Sequence, residues 1–352
     1  MKIALVTDQH FGARGDHQVF DGFFRQFYSK IFFPVLDELA ITHVVDLGDT
    51  FDRRKFVNFL TLANARDYYF EQLYTRGIKE TLLVGNHCTF YKNTNKINSP
   101  KLLLSDYSNI DIVEDPCEVT IGGLDVLLLP WICADNYADS MALIRGTKNE
   151  VVFGHLEIDG FEMYRGQPCV GGEVPATFNR FDQVYSGHFH HRSTKGNITY
   201  LGNPYELTWS DYDDPRGFHI YDTETRQLTF IANPYRMFHK ITYDDSSDTD
   251  YRTMPVKLYT DRYIKVLVQT KNDFLKFDTF IDRLYQAAPA EIKILEDMAD
   301  YDETAVDDNI DVEDTPTMLD QYVDATETDL DKTRLKTFLR SLYVEAQALE
   351  DR

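Results

Sequence analysis

Five short apolar runs of this chain end in residues that can hold a cation. K-I-A-L-V-T-D-Q-H brings Asp8 and His10, and H-V-V-D-L-G-D brings Asp49. E-T-L-L-V-G-N-H brings Asn86 and His87, E-V-V-F-G-H brings His155, and Q-V-Y-S-G-H-F-H-H brings His188, His190 and His191. Histidine is scarce, ten in 352 residues, so three within four positions ask for a cause. Carboxylate and amide oxygens mixed with imidazoles suit Mn²⁺ or Fe²⁺ better than a soft-ligand zinc site. One carboxylate shared by two ions, with terminal ligands on either side, is the recurring pattern of two-metal phosphoester hydrolysis. Each position also has an ordinary alternative. Asp8 and Asn86 are common turn formers, Asp49 and Asp52 can cap helices, His155 can be a satisfied half-buried imidazole, and 188–191 can be a surface loop. Those alternatives do not explain why all of these residues are metal-ligand types placed after strands.

The elements that must position them are legible as a pattern. Strands alternate with helical segments around residues 17–40 and 56–76, which points to an α/β layered protein, and such proteins present ligand groups along the edge where their strands end. In a fully extended segment His188 and His190, two positions apart, would face the same way, and it is the turn after the strand that can aim them at two neighbouring ions. Further strands at I-D-I-V-E-D, C-E-V-T-I-G-G-L-D-V-L-L-L-P, I-T-Y-L-G-N and the hairpin G-F-H-I-Y-D-T-E-T-R-Q-L-T-F raise the sheet content. The fold class expected is therefore an α/β two-sheet sandwich flanked by helices over residues 1–240. A small α+β capping domain of strand, helix and strand follows over 241–297. Residues 298–327 read as an acidic linker and 328–352 as an amphipathic helix, with Thr328 and Asp331 as its capping box and Leu335, Phe338, Leu339, Leu342, Ala346 and Leu349 on one stripe. That helix either docks onto a partner or folds back on its own chain.

A net charge of −22 speaks, taken as a total, against nucleic acid, since phosphate binding is driven by Lys and Arg. The charge is unevenly placed, however. Residues 291–331 hold sixteen acidic residues against one lysine, which leaves the rest of the chain mildly acidic, as suits a site for divalent cations. The four cysteines, Cys88, Cys117, Cys133 and Cys169, form no C-x-x-C pair and indicate neither a zinc knuckle nor a disulfide framework. The opening residues are too short an apolar run for a signal peptide, and no stretch approaches a membrane span, so a soluble cytoplasmic protein is expected, with no membrane partner.

D-Q-H (8–10), G-D-T-F-D (48–52), G-N-H (85–87), G-H (154–155) and G-H-F-H (187–190), in that order over about 180 residues, resemble the calcineurin-like metallophosphoesterases. Within them, G-H-L-E-I-D-G-F (154–161) and Y-L-G-N-P-Y-E-L-T-W-S-D-Y-D-D-P-R-G-F (200–218) are similar to the SbcD and Mre-eleven type nucleases, including the recombination endonuclease subunits of T-even-like phages. The resemblance implies two divalent ions, Mn²⁺ foremost with Mg²⁺ or Fe²⁺ as alternatives. Asp8, His10 and His190 would hold one, Asn86, His155 and His188 the other, and Asp49 both, with His191 outside the ligand set. It implies that His87 stabilises the transition state of in-line attack on a DNA phosphodiester and protonates the departing 3′ oxygen. Arg14, Arg53, Arg54, Lys55, Lys92 and Arg192 are candidates for flanking phosphates, with solvated loop cations as the competing reading. Asp52 and Cys88 would support the ligands and His87 from behind. The family pattern has an acid where Cys88 stands, so a poorly oriented His87 and improvement by Cys88→Asp are expected.

The implied activity is double-strand exonuclease and single-strand endonuclease action in recombination, repair and end processing. The implied partners are DNA and an SbcC-type ABC ATPase bound through the C-terminal helix, in a heterotetramer built on a nuclease homodimer. If the chain is phage-encoded, this would take place in the host cytoplasm. The aromatic-rich segments near residues 20–36 and 56–74 serve either that dimer or the core. A phosphatase or small-molecule phosphodiesterase of the same superfamily, and a DNA-end-binding scaffold without catalysis, are the alternatives.

Overall fold

Ile3 and Leu5 of strand β1 (Lys2–Val6) pack into one apolar layer while Ala4 and Val6 pack into another, so this strand is buried on both faces. The same holds for β2 (His43–Asp46) and β3 (Lys79–Leu83), which run parallel to it in the order β1, β2, β3, with β4 (Ile110–Val113) beside β3. Parallel strands covered on both sides read as continuous apolar runs, which is how these appear in the sequence. The chain then builds a second sheet from β5 (Cys117–Ile121), β6 (Leu124–Leu129) and β7 (Val151–His155). A short hairpin, β8 (Glu162–Tyr164) with β9 (Gln167–Pro168), precedes its remaining strands, β10 (Gln183–Gly187), β11 (Ser193–Lys195) and β12 (Ile198–Tyr200). Its order is β11-β12-β10-β7-β6-β5. The expected hairpin, β13 (Gly217–Asp222) with β14 (Gln227–Ala232), returns to the first sheet and pairs antiparallel with β1.

The two six-stranded sheets face one another across Ile3, Leu5, Val45, Leu47 and Leu83 on one side and Val126, Leu128, Val151, Phe153 and Tyr185 on the other. Helices cover the outer faces, so the expected α/β two-sheet sandwich is present. Over the first sheet lies the segment Gln18–Phe27, a π-helical turn Tyr28–Phe32, and Phe33–Glu38. Pro34 has no N–H to close a bond onto the preceding turn, and the wide turn sits directly before it. A second π turn, Arg66–Phe70, follows Phe59–Ala65; we have no physical account of that one. The aromatics expected either in a dimer or in the core divide cleanly. Phe20, Phe23, Phe24, Phe27, Tyr28, Phe32 and Phe33 are buried, as are Tyr68, Tyr69 and Phe70, whereas Phe56, Phe59 and Tyr74 are exposed.

A three-stranded parallel sheet, β15 (Phe238–Asp244), β16 (Tyr263–Thr270) and β17 (Glu291–Leu295), packs on the helix Phe274–Gln286 through Tyr243, Val266, Phe277, Phe280 and Leu284. The strand-helix-strand unit read from sequence thus has an additional strand, and the boundary at 240/241 falls inside β15.

This computed structural model describes residues 1–296 and, beyond them, 323, 332, 334–336, 338, 339 and 342. Lys332, 334–336, Phe338, Leu339 and Leu342 are helical, and Phe338 and Leu342 are exposed. The rest of the expected acidic linker and C-terminal helix lies outside the described residues. Among the described residues no helix is long and apolar enough to cross a membrane.

Candidate metal centre

The loop after β1 is laced to the loop after β2 by backbone hydrogen bonds from Asp8 N to Gly48 O, His10 N to Asp49 O and Phe11 N to Thr50 O, each 2.9 Å. Both loops turn through left-handed conformations. Asp8 (φ 52°), His10 (45°), Asp49 (55°) and His188 (87°) all lie there, a region that costs a non-glycine residue on the order of 1–3 kcal/mol and persists only where its surroundings enforce it. Two glycines allow the loops to meet. A Cβ on Gly85 would fall 2.2 Å from Asp49 Oδ1, and one on Gly187 would fall 1.9 Å from Thr7 Oγ1.

The result gathers all seven candidate ligands. Donor atoms of Asp8, His10 and His190 lie within 4.8 Å of one another, as do those of Asp49, His155 and His188. Asn86 Oδ1 stands 3.0 Å from both His155 Nε2 and His188 Nδ1, so Asn86 joins the second group. His188 and His190 thus serve different groups, as the turn after β10 allows. His191 turns away, with Nδ1 2.8 Å from Asp214 Oδ2.

The chemistry of the donor set fits divalent cations. His155 donates Nδ1–H to Leu47 O at 2.7 Å, which turns Nε2 toward Asp49 Oδ2 at 3.1 Å and Asn86 Oδ1 at 3.0 Å. His10 Nδ1 faces Asp52 Oδ1 at 3.2 Å, and its Nε2 faces His190 Nε2 at 3.1 Å. Carboxylate and amide oxygens thus converge with imidazole nitrogens in both groups, a donor set that a divalent cation could take up in place of the imidazole protons. The imidazoles divide. Burial, reinforced by His155, pushes His188 down to about 3, and burial with His10 holds His190 well below the usual imidazole range, so both are neutral at ordinary pH, whereas burial of His10 and of His155 is outweighed by Asp52 and Asp49 respectively, which raise them. Burial opposes ionisation of Asp49, but the surrounding imidazoles, His155 first, outweigh it and hold its carboxyl well below the usual range.

His87 stands beside this set, its ring 4.7 Å from that of His10. Its backbone N–H donates to Asp49 Oδ1 at 2.8 Å, and its Nδ1 is 2.7 Å from the Asp52 carbonyl. Asp52 thus acts twice, through its carboxylate on His10 and its carbonyl on His87. Cys88 is fully buried, its thiol pushed up to about 12 by burial and by Asp49, among the backbone N–H groups of Phe51, Gly85 and Thr50. The structure gives the orienting of His87 to the Asp52 carbonyl, and a carboxylate at position 88 would stand against Asp49. The expected improvement by Cys88→Asp therefore has no support in this geometry.

The cations proposed for DNA make local contacts of their own. Arg53 pairs with Asp16 at 2.9 Å and lies over the Phe56 ring, and Arg54 donates to Thr89 O at 3.2 Å. Lys55 stands 6.0 Å above the Phe90 ring, Lys92 is exposed, Arg192 lies over Phe230, and Arg14 is half-buried with φ 56°.

Two supports were not legible as such. Gln9, between the ligands Asp8 and His10, donates to Asp46 at 2.7 Å and accepts from the Tyr28 hydroxyl, while Tyr205 donates to the Gln9 carbonyl at 2.6 Å. The π turn at Tyr28 thereby reaches the floor of the site. Arg216, 4% exposed, donates to the His190 carbonyl, to Asn203, to Asp211 at 2.8 Å and to Asp214 at 2.9 Å. It ties the loop of His188 and His190 to the 200–218 motif, whose role the sequence left open.

No protein-family model matches the chain. It is similar to "Exonuclease subunit 1" of Enterobacteria phage T4, at 30% identity over 355 residues, which cover 98% of this chain and 99% of that one. It is also similar to the SbcD component of the SbcCD nuclease of Staphylococcus saprophyticus, at 22% identity over 61% of this chain and 65% of that one. The protein of the same name from Staphylococcus epidermidis is 30% identical over 29% of this chain and 30% of its own.

Proposed function

This chain belongs to the family of the phage T4 exonuclease subunit 1, within the SbcD-type metallophosphoesterases, and from that premise we propose that it is a metal-dependent DNA nuclease. It hydrolyses phosphodiesters as a duplex exonuclease and single-strand endonuclease in recombination and end processing. The observation that carries the reading is the convergence of carboxylate and amide oxygens with imidazole nitrogens in two groups of ligand-type residues. Asp8, His10 and His190 would hold one divalent ion, Asn86, His155 and His188 the other, and Asp49 both. When bound, such a pair supplies Lewis acidity to the phosphoryl group and lowers the pKa of water. The mixed oxygen and imidazole set favours Mn²⁺.

The chain's own part is positional and protonic. Asp52 fixes the tautomers of His10 and His87 together, because each imidazole offers it Nδ1. With Nδ1 committed to the Asp52 carbonyl, proton delivery to the departing 3′ oxygen falls to Nε2 of His87. A divalent-metal panel on end-labelled duplex and on circular single-stranded DNA, beside p-nitrophenyl phosphate esters, tests the assignment. Cleavage of DNA that depends on Mn²⁺ is expected. Hydrolysis of the small esters with both DNAs left intact would make the protein a phosphatase or small-molecule phosphodiesterase instead.

Two associations complete the proposal. The nuclease acts in the cytoplasm, the host's if the chain is phage-encoded, with an SbcC-type ABC ATPase held through residues 328–352. Two nuclease copies pair through the face that carries Phe59 (90% exposed), Leu60 (51%) and Leu102 (69%), since adjacent exposed apolar side chains of this size mark interaction surfaces. Contact between the helix of Phe59 and that of Leu102 is supported by Arg66, which donates to the Leu103 carbonyl and pairs with Asp106.

A further inference from the structure

We propose that Trp131 is a substrate-binding residue, its indole the surface on which a nucleobase next to the scissile phosphodiester stacks. The proposal rests on the nuclease reading above. Trp131 follows Pro130 just beyond the end of β6, in a stretch with no regular secondary structure. Its indole is half-buried and belongs to none of the apolar cores. Instead the ring lies against two candidate ligands, 5.0 Å from the His188 ring at 48° and 6.2 Å from the His155 ring at 68°.

The backbone beneath that indole is held with more care than a loop requires. Trp131 N donates to Val84 O at 2.8 Å, two residues before Asn86, so the indole is referenced to the strand end that carries a ligand. Its carbonyl accepts from Asn95 Nδ2 at 2.8 Å and from Asn136 Nδ2 at 3.0 Å. Both asparagines are 4% exposed, and Asn136 Oδ1 also accepts from Cys133 N at 2.9 Å. Two buried amides spent on one carbonyl fix a ring whose own N–H makes no hydrogen bond among the described residues. The point where the ring joins the backbone is therefore fixed, while its indole N–H stays open to solvent or to an incoming group. A pre-set aromatic face beside a phosphodiester site suits a nucleobase of any identity, since every base has a π face.

The test compares Trp131→Ala and Trp131→Phe with the unaltered protein on two single-stranded oligonucleotides of equal length, one natural and one with alternate residues abasic. Mn²⁺ stoichiometry is measured by direct titration. Stacking of one base is worth about 10-fold or more in affinity. On the natural strand, Trp131→Ala should lose about that factor in kcat/KM, mainly through KM, while Trp131→Phe retains most of it. Removing bases should cost the unaltered protein a similar factor and Trp131→Ala little, with Mn²⁺ stoichiometry the same in all three. Equal sensitivity of Trp131→Ala and the unaltered protein to base removal would overturn the proposal and leave the nuclease reading intact. Equal losses on both strands with reduced Mn²⁺ binding would overturn it too, and make the indole a packing group for His188. Failure of the unaltered protein to cut either strand would instead bring down the nuclease reading on which the proposal rests.

Discussion

Replacing His87 by alanine takes away an acid without taking away a candidate ligand. Turnover on DNA should fall by about 10²- to 10⁴-fold, with Mn²⁺ stoichiometry unchanged in a titration; parallel loss of metal would assign His87 to holding the ions instead. Glu80 makes a different prediction, about stability. It is fully buried, accepts from the Tyr69 hydroxyl at 2.6 Å, and has its second oxygen without a partner. Burial first, and then the nearby Asp46, raise its folded-state pKa well above the ordinary 4.5. Between 4.5 and that raised value the unfolded chain has released a proton that the folded chain keeps. Glu80 therefore favours the fold at low pH, and this contribution is lost as pH rises. Glu80→Gln should lessen the fall in melting temperature from about pH 5 upward; an unaltered slope would show that Glu80 ionises normally in the fold.

At the scale of the element, the loop after β10 depends on Arg216. Arg216→Met leaves Asp211 and Asp214 buried beside an apolar chain, a loss on the order of 3–5 kcal/mol where a buried pair is broken from one side. It should also weaken Mn²⁺ binding, because the His190 carbonyl is released; retention of both stability and affinity would deny the clamp. This residue shows where sequence reading stops. Asp8, Asn86 and His188 were readable because metal-ligand types recur after separate apolar runs, a joint pattern that the ordinary alternative at each position does not explain. Arg216 is readable only as part of a motif, since an arginine followed by glycine reads as a solvated turn and two of its four acceptors, His190 and Asn203, lie outside its own segment. Trp131 gave no signal, being a lone aromatic after a strand, and the π turn at Tyr28 was hidden because one extra residue barely disturbs a helical pattern. The small domain was half legible. Its helix and following strand have clear periodicity, whereas β15 begins before the expected boundary and pairs only through β16.

For the molecule as a whole, the exposed apolar face predicts self-association. Phe59→Asp combined with Leu60→Asp should convert a dimer to a monomer in sedimentation with the melting temperature unchanged; a protein already monomeric before the change would remove the proposed role of that face. Deleting residues 328–352 should abolish co-purification with the ATPase partner and leave nuclease activity on short DNA in place.

The left-handed corners at Asp8, His10, Asp49 and His188 have a kinetic consequence. Backbone of that kind is restrained by what its side chains grip, so a chelator should let those four corners breathe long before the sheets behind them do. Deuterium uptake after chelation should quicken at the loops following β1, β2 and β10 and stay slow within the strands themselves. The centre would then loosen as a local latch, and the sandwich would wait, still folded, for its cations to return.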